Sequence, residues 1–176
     1  MIPVDINDIL FQHFLVPLIH SLDGPAPLLN RAELTSVFSN FVDIWNLHRS
    51  FSEALYALLA DFLESPYDTP PPSLSPILIS HFPFLSLYTP FVTSFPDLIN
   101  KLASLLETNP AFLSFIKSQE AHDLCRKLKL QDWLLTIVQR CPRYMLLLKD
   151  LITRTDVHDP EHARLVTAKA TLARGR

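Results

Sequence analysis

Leu130-Gln-Asp-Trp-Leu-Leu-Thr-Ile-Val-Gln-Arg-Cys-Pro-Arg-Tyr-Met-Leu-Leu-Leu-Lys-Asp-Leu-Ile152 is the stretch on which the reading of this chain turns. Apolar residues recur through it at helical spacing, and one polar knot, Gln139-Arg140-Cys141-Pro142-Arg143-Tyr144, interrupts them. A helix packed in a core has no use for two arginines and a glutamine beside a proline unless they serve a bond or a partner. Buried and unpaired, each such head would cost about 1–3 kcal/mol or more. The knot is therefore the expected functional segment. Pro142 cannot donate to the carbonyl of Val138 and its ring crowds that oxygen, so a kink is expected in a helix from about Lys129 to Arg154. Leu135, Gln139 and Arg143 follow at i, i+4 and i+8, the spacing of one helix face.

The remainder of the chain supports an all-α fold. Its 176 residues are enough for a sizeable core, and 48% of them are apolar against 19% charged. Only 2 glycines are present, too few for Gly-rich phosphate cradles or hairpin-rich β architecture. A net charge of -3 with both signs interspersed carries no footprint for nucleic acid. Cys125 and Cys141 do not make a disulfide framework and read as reduced thiols. No run has the roughly 20 uncharged apolar residues of a membrane helix. Asp5 and Asp8 stand where an export signal would carry bases, so a cytoplasmic protein is expected.

Periodicity and cap signals place the other helices. The first is expected over Val4 to Ser21, with its stripe ending near Pro17, followed by the turn Asp23-Gly24-Pro25-Ala26-Pro27. A second, capped by Asn30, is expected to run unbroken to Glu64, about nine turns and roughly 50 Å. After the Thr69-Pro-Pro-Pro72 loop, Ser75 as N-cap with Pro76 opens a short helix. A helix bent by Pro90 and Pro96 follows over Leu85 to Glu107. Asn109-Pro110 and Asp159-Pro160 then start two more. Trp45, Trp133, Tyr144 and the leucines 146–148 are expected in the core, Arg140 in a structural pairing, and Lys149 either as a partner contact or as a solvated head. His158 and His162 have the i, i+4 spacing of a metal pair, but Pro160 lies between them and no third ligand is near, so they read as part of a helix cap. No serine lies in a Gly-x-Ser-x-Gly elbow. The basic stretch Lys169 to Arg176 reads as the end of the last helix rather than a lipid contact.

The segment Val138-Gln-Arg-Cys-Pro-Arg-Tyr-Met-Leu-Leu-Leu-Lys149 resembles the third conserved region of the Dbl homology domain, the exchange-catalysing helical bundle of Rho-family guanine nucleotide exchange factors. Val37-Phe38-Ser39-Asn40 with Leu47-His48 is similar to that family's second helix. Phe82 to Val92, Asn109 to Ser118 and Ile9 to Leu18 extend the likeness over nearly the whole chain. The resemblance implies an elongated multi-helix bundle and a Rho-, Rac- or Cdc42-type small GTPase as partner. It implies that Leu135, Gln139 and Arg143 meet the GTPase switches, with Arg143 as the family's conserved base. Lys127 and Leu128 fall at positions that help choose among GTPases. No cofactor, metal or covalent chemistry is implied.

Four departures accompany the likeness. The family's switch I glutamate would fall before Met1 and its last-helix asparagine beyond Arg176, so residues 1–176 read as a single Dbl homology domain incomplete at both ends. Ile137 replaces the usual proline, and no pleckstrin homology domain follows, which leaves membrane recruitment to flanking domains. The alternative reading is a degenerate bundle that binds a partner as a scaffold without driving exchange.

Overall fold

The computed structural model describes residues 6–174, and among these it contains helices and connecting turns but no strand. The order is α1 (Ile6–Ile9), a π-helical segment (Leu10–Leu15), α2 (Val16–Ser21), α3 (Arg31–Phe38), α4 (Phe41–Leu63) and α5 (Ser75–His81). There follow a 3-10 segment (Phe82–Leu87), α6 (Tyr88–Thr108), α7 (Pro110–Glu120), a 3-10 turn (Asp123–Cys125), α8 (Leu130–Val138), α9 (Arg140–Arg154) and α10 (Pro160–Arg174). Two calls run past the described residues, namely the helix start at Val4 and the last two positions of the basic stretch, 175–176.

Two compact units emerge, each assembled from separated parts of the chain. The first comprises residues 1–45 and 90–139, the second residues 46–89 and 140–176.

In the first unit, Phe14 and Leu18 pack into a core that includes Phe41, Phe91, Phe112 and Trp133, all 2% exposed or less. Burying each such side chain contributes about 1.5–3 kcal/mol. Trp45 is half-buried. Its ring stacks on Phe11 at 3.8 Å, and its Nε1 donates to Asp8 Oδ1 at 2.8 Å. The helical run passes through Pro17 and ends at Ser21, where the sequence placed its end. Pro17 has no N–H for the carbonyl of His13, and just ahead of it the Val16 N–H reaches back five residues to Phe11 O, forming the π-helical segment.

The expected nine-turn rod from Asn30 is two helices. Asn30 does cap the first, its Oδ1 accepting from Glu33 N at 2.9 Å while Glu33 Oε2 accepts from Asn30 N at 3.0 Å. At Ser39 the chain turns through φ 50°, ψ -129°, and α4 restarts with Asp43 N donating to Asn40 O. A positive φ on serine cannot continue a right-handed helix.

The start of α7 follows the sequence signal. Asn109 Oδ1 accepts from Phe112 N at 3.0 Å, and its Nδ2 donates to Leu28 O at 2.8 Å. Asn109→Ala is expected to lower unfolding free energy by about 1–2 kcal/mol. Asn109→Asp keeps the cap and loses only the donation to Leu28, so denaturant titration should find it less damaging. Equal losses in the two variants would show that the cap contributes nothing.

In the second unit, Phe51, Leu78, Phe82, Tyr88, Leu148 and Leu165 line the core. The N-terminus of α5 is not capped by Ser75, which is its first helical residue and fully buried. Glu161 of α10 takes that role. Its Oε1 accepts from Leu74 N at 2.8 Å and Ser75 N at 2.7 Å, and its Oε2 accepts from the hydroxyls of Ser73 and Ser75.

Candidate functional site

The polar knot is where one helix stops and another starts. The expected single helix from Lys129 to Arg154 is α8 and α9, separated at Gln139 with φ -79° and ψ -8°. Pro142 stands in the first turn of α9, where a missing N–H costs nothing, so its effect appears three residues upstream. The same point closes the first unit and opens the second. The i, i+4, i+8 spacing therefore does not describe one continuous helix face.

On the first unit, the approach to α8 is a tight turn. Arg126 and Lys127 both adopt left-handed φ, 50° and 64°, and Leu128 N donates to Cys125 O at 2.8 Å. Two non-glycine residues in that region cost about 1–2 kcal/mol each, and the turn persists because both its flanks are tied down. Cys125 is fully buried, and burial, with Glu120 adding to it, pushes its thiol above the usual range, which makes it unreactive. Glu120 Oε1 accepts from Leu130 N at 2.7 Å, and Asp132 Oδ2 accepts from Lys129 N at 2.9 Å. This turn presents Lys127 exposed and Leu128 half-buried. Along α8, Trp133, Leu134 and Ile137 are buried while Leu135 is 40% exposed. Gln139 is exposed one turn on, its backbone N–H donating to Leu135 O at 3.2 Å. These four residues lie within one stretch of this unit's surface sequence, residues 127–139.

On the second unit, Cys141 and Leu148 of α9 face inward and Arg143 faces solvent. Among the described residues no side-chain partner of Arg143 or Gln139 is present. The leucines expected in the core divide: Leu148 is 4% exposed, whereas Leu146 and Leu147 are 67% and 65% exposed. They follow Arg143 by three and four residues and share its outward side. Sequence could not separate them, because apolar residues 144–148 cover more than one face of the helix. Tyr144 is half-buried, its ring 5.8 Å from Phe51 and 6.1 Å from Phe82. Lys149 is exposed and Arg140 half-buried.

A family model for the RhoGEF domain matches residues 7–174. The chain belongs to the RhoGEF domain family. Among curated relatives of this RhoGEF domain, "FYVE, RhoGEF and PH domain-containing protein 3" of Mus musculus is 33% identical over 127 residues, which is 72% of this chain and 17% of the relative. "Protein ECT2" of Mus musculus is 29% identical over 170 residues, 96% of this chain and 18% of the relative. The RhoGEF domain thus spans about a sixth of the length of these proteins.

Among solved structures, the PDZ-RhoGEF DH/PH domains crystallised with GTP-γ-S activated RhoA align with a TM-score of 0.77 at 23% identity, over 97% of this chain and 46% of that one. The activated truncation of Vav1 aligns at 0.81 with 19% identity, over 98% and 40%. At those identities the likeness establishes the helical fold of DH domains for this RhoGEF domain.

Proposed function

We infer that this RhoGEF domain is a guanine nucleotide exchange factor that binds a Rho-family small GTPase and promotes release of GDP. What carries the reading, beside family membership, is that Arg143 stands exposed and unpaired among the described residues on a helix whose opposite side is buried. A guanidinium in that state is available for a carboxylate or phosphate. Gln139 and Leu135 on α8, with Lys127 and Leu128 ahead of it, are the further proposed contacts.

The chemistry is that of differential binding. The domain binds the nucleotide-free GTPase more tightly than the loaded one, and by linkage nucleotide weakens the domain's grip by the same factor. No bond is made or broken, and the domain itself needs no cofactor. Charge and shape hold the switch segments of the GTPase away from magnesium and phosphate. Among the described residues no helix is long and apolar enough to cross a membrane. The reading places the domain in the cytoplasm, with membrane recruitment left to flanking segments.

Release of a fluorescent GDP analogue from Rho-, Rac- and Cdc42-type GTPases tests this directly. At least one of them should lose nucleotide faster, by about 10-fold or more, a barrier lowered by about 1.4 kcal/mol. Binding to the nucleotide-free GTPase with no acceleration of release would replace the exchange reading by a scaffold. Absence of binding to all three classes would end both.

A further inference from the structure

His48 is a buried polar residue, 2% exposed on α4 of the second unit, that the proposed exchange surface does not use. It lies on the helix's inward stripe between Ile44 and Phe51. Its Nδ1 lies 3.0 Å from the hydroxyl of Tyr144, and its Nε2 meets the hydroxyl of Tyr88. Tyr88 opens α6 and is 3% exposed. One imidazole thus ties a tyrosine of α6 to a tyrosine of α9.

The arrangement is self-consistent in either tautomer. A tyrosine hydroxyl can donate or accept, so one ring nitrogen gives its proton to one tyrosine while the other nitrogen receives a proton from the second. Reversing every proton leaves both nitrogens satisfied. Core packing alone explains a paired histidine. It does not explain why the bond ends on Tyr144, the neighbour of Arg143 in the first turn of α9. Leu148 is buried on the inward side of α9, and apolar packing of that kind tolerates rotation and sliding of a helix. A hydroxyl–imidazole bond is directional and does not. Because successive residues are separated by about 100° around a helix, fixing the inward direction of Tyr144 fixes the outward direction of Arg143.

The geometry points to His48 as a positioning residue for the exchange surface: through Tyr144 it sets the rotation of α9's first turn and so the place of the Arg143 guanidinium. The assignment rests on the exchange reading above. Removing His48 takes a hydrogen-bond partner from two tyrosine hydroxyls at once and is liable to unfold the unit, so the informative change is Tyr144→Phe. It deletes the hydroxyl and keeps the ring against Phe51 and Phe82.

Affinity for the nucleotide-free GTPase is measured for wild type, Tyr144→Phe, Arg143→Ala and the double variant. Tyr144→Phe should weaken binding about 3- to 10-fold when Arg143 is present and have no further effect when it is alanine, a non-additivity of neighbours acting through one contact. Equal weakening in both backgrounds would reduce the bond to general stability, and no weakening in either would remove it from function. Either result overturns the assignment while wild-type exchange stands. A wild type that neither binds nor exchanges would overturn the exchange reading and this assignment together.

Discussion

Arg143→Glu is expected to abolish exchange and weaken GTPase binding by about 100-fold or more, because truncating or reversing one member of a close charge pair at an interface costs about 2–5 kcal/mol. Folding should be indifferent to the change. Arg143 is exposed, and among the described residues no carboxylate holds it, so its removal strands nothing. Surface replacements of this kind fall within about 0.5 kcal/mol of wild type. The position is also in the first turn of α9, where the helix dipole favours a negative side chain over a positive one. Circular dichroism and thermal melting should superimpose on wild type while nucleotide release falls to the uncatalysed rate. A melting temperature lowered by several degrees would place Arg143 among the residues that hold the fold. Undiminished release would move the partner surface elsewhere.

What sequence could and could not deliver follows from the range of each interaction. Asn30 with Glu33, Asn109 with Pro110, and Asp159 with Pro160 are signals written within four residues. Each marks a helix start in the structure. The breaks at Ser39 and Gln139 are different. Helical periodicity runs through both, and neither has a glycine to announce it. Pro142 and Pro17 did announce a disturbance. The donor each lacks would have paired with a carbonyl four residues earlier, so the disturbance appears upstream of the ring, at Gln139 and in the π-helical segment.

For the candidate site, the sequence offered residue identities but not their exposure. Of the residues proposed for it, Arg143, Gln139, Lys127 and Leu135 are exposed and Leu128 is half-buried. Leu146 and Leu147 were not legible, because a run of apolar residues around a helix does not say which of them lacks a neighbour. His48 falls between Ile44 and Phe51 on the inward stripe of α4. Its tyrosine partners lie 40 and 96 residues away, beyond any local pattern.

Glu161 shows the same long range with the largest stability consequence. From α10 its carboxylate receives two backbone N–H groups and two hydroxyls at the head of α5, 86 to 88 residues earlier. Glu161→Ala should lower unfolding free energy by about 2–4 kcal/mol, since donors at the head of α5 lose a charged acceptor and the helix loses its cap. Glu161→Gln should cost less, because one amide oxygen can still accept from Leu74 N and Ser75 N. The carboxylate also makes stability depend on pH. Burial by itself would raise its pKa, but the bonds from Ser73, Ser75 and Leu74 outweigh burial and hold it below the ordinary glutamate range. A folded-state pKa below the unfolded value means that the unfolded chain takes up the proton first. The stabilisation is then complete above the ordinary value of about 4.3 and is lost as pH falls through the lower folded value. Denaturant titrations from neutral pH down to about pH 3 should give a steeper loss for wild type than for Glu161→Gln, which has no proton to take up there. Parallel curves for the two proteins would mean that the carboxylate's charge contributes nothing and that an uncharged acceptor serves α5 equally well.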